Sequence, residues 1–242
     1  VGGVSILGGS GTVVGALLGA ALIDVLDQSL VVLPWLEFAS ERYPTSDSVL
    51  HGMSAGGYGA FHVAWALQEQ GLAPAGIISD SGVLNRDWQL ASVEQGLCPN
   101  AGDEEGLLAV ERRLHSAVRN PDNEPHEVVG RGELTVPVFH VWSSGDFAQC
   151  GQAPMDCPLP DGSTVTLGAV DCLHEPLARA IDAQGPSSRS SNMRLCVEGA
   201  EPGPCDMHTP TAKVGAVNTD PAFPADFQPV VMDWVLARLE DA

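Results

Sequence analysis

The chain has 242 residues, 44% hydrophobic and 17% charged, which suffices for one sizeable core and excludes intrinsic disorder. Thirty-one acidic residues against eleven basic ones give a formal net charge of −20. Such a surface repels phosphate backbones and anionic membranes, so no nucleic-acid partner is expected.

In chain order, residues 1–23 carry no charge and hold seven glycines. Val4–Leu7 reads as a strand, followed by a glycine turn and a helix from about Thr12 to Ser29. The strongly apolar stretch Thr12–Ile23 ends at Asp24, too short for a membrane span. Gly9, Gly11 and Gly15 form only a weak dinucleotide-type fingerprint with no suitable downstream acid, so no cofactor is expected. The run from Val1 to Leu33 resembles a glycine-rich stretch of sugar ABC-transporter permeases. That resemblance covers nothing beyond residue 33. It implies a fusion, with a permease-like segment 1–33 packed as a βα unit and a catalytic domain over 34–242.

From Pro34 the composition is that of a globular domain. Ser48–His51 reads as a short buried strand. Gly56–Gln70 reads as a helix with Phe61 and Trp65 on its core face and Gly71 closing it. A strand lies within Pro74–Asp80, and a charged helical stretch spans 103–120. Val136–Trp142 is an unbroken apolar run of the kind a parallel sheet buries on both faces. Residues 150–206, rich in Cys, Pro and Gly, read as a disulfide-stapled irregular insertion. Phe227–Leu239 reads as a last helix with Phe227, Val230, Val231, Trp234 and Leu239 on its apolar face. Strands alternating with helices predict an α/β fold, α/β-hydrolase-like, with a mostly parallel sheet flanked by helices.

The six cysteines are Cys98, Cys150, Cys157, Cys172, Cys196 and Cys205. None forms C-x-x-C and no Cys/His spacing fits a structural zinc site, so no metal is expected. An even number in loop-like sequence predicts disulfides and an oxidising compartment, against the alternative of free buried thiols. The short-range candidate pairs are Cys150–Cys157 and Cys196–Cys205, although sequence leaves the pairing open.

His51-Gly52-Met53-Ser54-Ala55-Gly56-Gly57 contains G-x-S-x-G directly after a strand and before a helix, the context a nucleophile elbow requires. The bland alternative is a glycine-rich turn. In the elbow, small residues at 52 and 56 permit a turn so tight that Ser54 is strained and its Oγ is lifted above the sheet edge. The Ala55 N–H then lies beside it as an oxyanion donor at the positive helix end. A serine needs a histidine base, and the base needs a carboxylate. In the order Ser, acid, His, Asp146 fits the acid, because it follows the strand VPVFHVW through Ser143-Ser144-Gly145. Downstream remain His208, in a loop before the last helix, and His174. His208 is preferred by placement and His174 is the alternative. His62 and His140 read as core or supporting residues.

Taken together, these residues resemble the pectin acetylesterase family, which includes the animal carboxylesterase Notum, over about residues 36–240. Ser54-Ala55-Gly56-Gly57-Tyr58-Gly59-Ala60 is similar to its elbow, and Asp80-Ser81-Gly82 to its strand-end Asp-[Ser/Ala]-Gly. Asp146-Phe147-Ala148-Gln149 is similar to its Asp-x-x-Gln, and Cys205-x-x-His208 to its Cys-x-x-His. The resemblance implies a triad of Ser54, Asp146 and His208, with Asp80 in a supporting role. It implies a secreted or periplasmic enzyme removing acyl or acetyl groups from carbohydrate or other small hydroxyl compounds. The family has several strands and a donor-bearing loop before the elbow, so by this comparison the chain is truncated at its N-terminus. Gly9, in Gly8-Gly9-Ser10, is the candidate replacement for the second oxyanion donor. A peptidase or amidase on the same fold, or a folded chimera with little activity, are the alternative readings. Oligomeric state has no sequence signal.

Overall fold

The computed structural model describes residues 4–7, 44–82, 84–97, 108–109, 112–113, 115, 124–146, 153–159, 161–195, 211 and 227–240. The main sheet is built from β1 (Val4–Leu7), β2 (Val49–Met53), β3 (Gly76–Asp80), β4 (Val138–Ser143) and, later in the chain, Ser191–Leu195. The intervening elements are α1 (Ala55–Glu69), α2 (Arg86–Glu94), α3 (Pro125–Gly130), β5 (Pro154–Pro158), β6 (Thr164–Gly168) and α4 (Ala169–Gln184). Ser191–Leu195 is therefore β7, and α5 (Phe227–Glu240) follows it.

The sheet order is β1-β2-β3-β4-β7. β2, β3, β4 and β7 are mutually parallel, and β1 pairs antiparallel with β2. The result is a mostly parallel sheet flanked by helices, an α/β fold. Every residue of β3 and β4 is buried, as expected of parallel strands covered on both faces. Alternate residues supply two cores. Leu50, Ile77 and Val138 pack with Phe61 and Leu67 of α1, Val128 and Val129 of α3, and Leu177 and Ile181 of α4. Val49, Ile78, Phe139 and Val141 pack with Val231, Trp234 and Val235 of α5.

Trp234 closes the second core. Its ring lies 5.5 Å from that of Phe139, and its indole N–H donates to the Arg189 carbonyl at 3.0 Å. Gly76 admits it, because a Cβ there would stand 2.6 Å from the indole. On α5 the inward face is Val231, Trp234 and Val235, whereas Val230, expected inward, is 42% exposed. A helix turns 100° per residue, so Val230 cannot share a narrow stripe centred on 231, 234 and 235.

Within 150–206, the described residues 153–159 and 161–195 form regular elements rather than an irregular insertion. They contain the β5–β6 hairpin, the 16-residue α4 and the sheet strand β7. Val170, Leu173, Leu177 and Ile181 are buried along α4 at helical spacing. Cys172 and Pro176, both inside that helix, had disguised it as loop. The same hairpin corrects the expected Cys150–Cys157 pair, because Cys157 is joined to Cys172 with Cα atoms 5.7 Å apart. Met155 and Cys157 share the buried face of β5, and that face lies on the first turn of α4. Cys98, Cys150, Cys196 and Cys205 lie outside the described residues, as does the expected helix from Thr12 to Ser29. Of the charged stretch 103–120, Leu108, Ala109, Arg112, Arg113 and His115 are helical. Arg112 pairs with Glu94 at 3.0 Å and His115 with Asp87 at 2.6 Å, which ties this stretch to α2.

Closing a loop of 15 residues, the Cys157–Cys172 disulfide should stabilise the fold by ~3 kcal/mol in a chain-entropy account. Non-reducing peptide mapping should recover that pair, and the double variant Cys157→Ala/Cys172→Ala should unfold at lower urea. Recovery of a Cys150–Cys157 peptide would contradict the arrangement. Trp234→Ala should cost ~3–5 kcal/mol in the same titration, because it opens a cavity over Phe139 that the neighbouring side chains only partly fill.

Candidate active site

Ser54 sits between the last residue of β2 and the first of α1, with φ 53° and ψ −127°. A side-chain-bearing residue rarely adopts this left-handed region, at a cost of ~1–3 kcal/mol. Packing holds it there. A Cβ on Gly52 would stand 2.2 Å from the Gly56 carbonyl oxygen and 2.8 Å from the Ala60 Cβ. A Cβ on Gly57 would meet Gly82 Cα at 2.5 Å. The start of α1 thus lies directly against the strand it leaves and against the loop after β3. Two backbone bonds fix the turn: the Ser54 N–H donates to the Asp80 carbonyl at 2.9 Å, and the Gly57 N–H to the Ser54 carbonyl at 2.9 Å.

The strand–turn–helix context read from the sequence is therefore present, with the serine half-buried and Ala55 exposed at the first position of a 15-residue helix. The first N–H groups of a helix lack intrahelical acceptors and carry the positive end of its dipole. Gly9 lies outside the described residues. β1 runs toward it in the direction away from the serine, because Leu7 pairs with Val49 at the far end of β2. The second oxyanion donor is thus left unassigned.

β2, β3 and β4 end at one edge, with Met53 opposite Asp80 and Asp80 opposite Val141. Asp146 follows β4 at that edge and is 1% exposed. Its N–H donates to the Ser143 carbonyl at 3.2 Å. The N–H and hydroxyl of Ser144 both donate to the Leu195 carbonyl, at 3.2 and 3.3 Å, which ties this turn to the end of β7. Ser54 and Asp146 hence belong to strand ends separated by one intervening strand, about 10 Å between strand axes. His208 lies outside the described residues. His174, the alternative base, is fully buried in α4, its ring 5.4 Å from Trp142 and 5.1 Å from His140.

Two contacts at this edge had no sequence signal. The Thr211 N–H donates to Asp80 Oδ2 at 2.8 Å, and the Thr211 hydroxyl bonds the same oxygen. Thr211 Oγ1 also lies 2.7 Å from His51 Nε2. Partners 131 and 160 residues apart leave no trace in local spacing. Behind the edge the buried Asp171 accepts from the Trp142 indole at 2.9 Å and from the exposed Arg194 at 2.6 Å. Burial pushes the Asp171 carboxyl up despite these donors. Near the start of α1, the Tyr58 hydroxyl donates to the buried Glu124 at 3.1 Å.

Among the described residues no group of three His, Cys, Asp or Glu side chains could hold a metal ion, and no helix is long and apolar enough to cross a membrane. No protein-family model, curated protein or solved structure matches the chain.

His140 is wholly buried on β4, and His62 is partly buried on α1 beside Tyr58. Burial pushes His62 down to about 4 and His140 down to about 3, the Ser79 backbone partly offsetting the second. Both rings stay neutral in the folded chain where the unfolded chain protonates them. Between pH 6.5 and 4 the unfolded state therefore binds more protons, and stability falls as pH falls, by ~1.4 kcal/mol per unit for each ring. Asp171, shifted up, acts in the opposite sense but is a single group. The melting temperature should drop steeply from pH 6.5 to 4.5, and His62→Asn should flatten that slope. A melting temperature that holds or rises over this interval would contradict the burial of both rings.

Proposed function

We propose that the chain is a serine hydrolase of carboxylic esters, with Ser54 as nucleophile, His208 as base and Asp146 as the acid that orients it. The observation that carries this reading is the left-handed Ser54, held between strand and helix by glycines that no larger residue could replace. Glycine-rich turns are common. A serine forced to positive φ at the end of a central parallel strand, directly ahead of a helix, is the arrangement that nucleophilic serine catalysis uses. Chain order and strand order add support. The proposed acid follows β4, and the proposed base follows β7, the neighbour of β4. Thr211, three residues past His208, touches Asp80 on the strand beside Ser54. Chain connectivity alone then limits His208 to about 11 Å from Thr211.

In this mechanism His208 takes the Ser54 proton as Oγ attacks the ester carbonyl carbon. The oxygen of the tetrahedral intermediate gains negative charge and is met by the Ala55 N–H. The C–O bond to the alcohol breaks as His208 returns the proton to the leaving oxygen. Water, activated by the same base, then attacks the acyl–Ser54 ester, releasing the acid and restoring the serine. The resemblance to pectin acetylesterases points to short acyl groups, acetyl above all, on carbohydrate or other small alcohols. The Cys157–Cys172 disulfide supports an oxidising, extracytoplasmic compartment.

The wild-type chain should hydrolyse p-nitrophenyl acetate. Ser54→Ala and Asp146→Ala should each lower kcat by at least ~10³-fold while leaving the melting temperature within a few degrees. Turnover unchanged in Ser54→Ala would refute the assignment. A folded wild type with no turnover would favour the alternative of a chimeric chain without esterase activity.

A further inference from the structure

We propose that Asp80 is a positioning residue that holds Thr211, three residues past the proposed base, at the Ser54 edge, a role that rests on the ester-hydrolase reading above. Asp80 ends β3 and is wholly buried. Its backbone carbonyl accepts the Ser54 N–H, so one residue fixes the elbow from the main chain and Thr211 from the side chain. Oδ2 accepts both the N–H and the hydroxyl of Thr211, whereas Oδ1 has no hydrogen-bond partner among the described residues. Among the described residues Thr211 supplies the side-chain hydrogen bonds of this buried carboxyl group, and a buried carboxyl group that loses such bonds is costly.

The proton assignment follows from the inventory of donors. A carboxylate only accepts, and a hydroxyl has one proton to give. The Thr211 proton therefore goes to Asp80, and His51 Nε2–H donates to Thr211 Oγ1 across 2.7 Å. The chain His51 to Thr211 to Asp80 runs in one direction and ends at the carboxylate. In this arrangement His51 is a donor, 3.9 Å from Asp80 Oδ2, and its Nε2 lone pair is not offered as a base. β2 supplies His51 and leads into Ser54, and β3 supplies Asp80. The two strands nearest the nucleophile thus grip one residue of the segment that carries the proposed base. A misplacement of about 1 Å in such a constellation can cost ~10²-fold in rate without weakening substrate binding.

The test uses the full chain and p-nitrophenyl acetate, with kcat and KM separated, and hydrogen exchange at the Thr211 amide. Thr211→Val should lower kcat by about 10–100-fold with KM within about threefold, and Thr211→Ser, which keeps hydroxyl and N–H, should restore most of it. The Thr211 amide should be protected in the wild type and lose that protection in Asp80→Ala. A Thr211→Val enzyme with wild-type kcat, or a Thr211→Ser enzyme no better than Val while equally folded, would overturn the positioning role and leave the ester-hydrolase reading standing. An unprotected Thr211 amide in the wild type would overturn it as well. A wild type without Ser54-dependent turnover would overturn the hydrolase reading first and this role with it.

Discussion

The site depends on the close approach of α1 to the strand that feeds it. A Cβ at Gly52 would come within 2.2 Å of the Gly56 carbonyl oxygen, and one at Gly57 within 2.5 Å of Gly82 Cα. With those side chains absent, the helix begins directly on the strand end and the residue between them is driven to positive φ. The strain at Ser54 is therefore not a local choice of the serine. It is set by the packing of two buried backbones, and the surrounding core opposes its relaxation.

That core covers both faces of the central strands. Alternate residues of β2, β3 and β4 enter two separate clusters, one under α1, α3 and α4 and one under α5. Because both faces are sealed, polar groups are left to concentrate at the carboxyl ends of the strands, where side chains can still find partners. Asp80, Asp146 and Asp171, the last paired with the exposed Arg194, lie there or just behind it, and all three carboxyl groups are buried. The edge collects carboxylates in a chain already carrying a net charge of −20, and backbone N–H groups, an indole, one arginine and a threonine hold them.

Much of this was legible in the sequence, for physical reasons that differ by element. The VFHVW stretch of β4 announced a strand buried on both faces, since no polar face interrupts it. The tight strand–turn–helix passage at Ser54 was legible because such turns demand glycine at fixed offsets. Val4–Leu7 was legible as a strand, but its antiparallel direction was not, because an isolated apolar run of four carries no sign of which way it pairs. Helix α4 was obscured by Pro176 and by a cysteine that looked like loop composition, although its apolar spacing was helical throughout. The partner of Cys157 could not be found from spacing, because the hairpin turn and the helix start together decide which sulfur faces it. Thr211 is the clearest case, since its partners come from strands that precede it by more than half the chain.

The proposed hydrolase chemistry requires Ser54 to be a nucleophile poised by its turn. Incubation of the folded chain with a fluorophosphonate, followed by intact-mass measurement and peptide mapping, tests it most directly. A single adduct is expected, on Ser54, and it should be lost in Ser54→Ala. No adduct on folded protein, or an adduct on any other residue, would contradict that role.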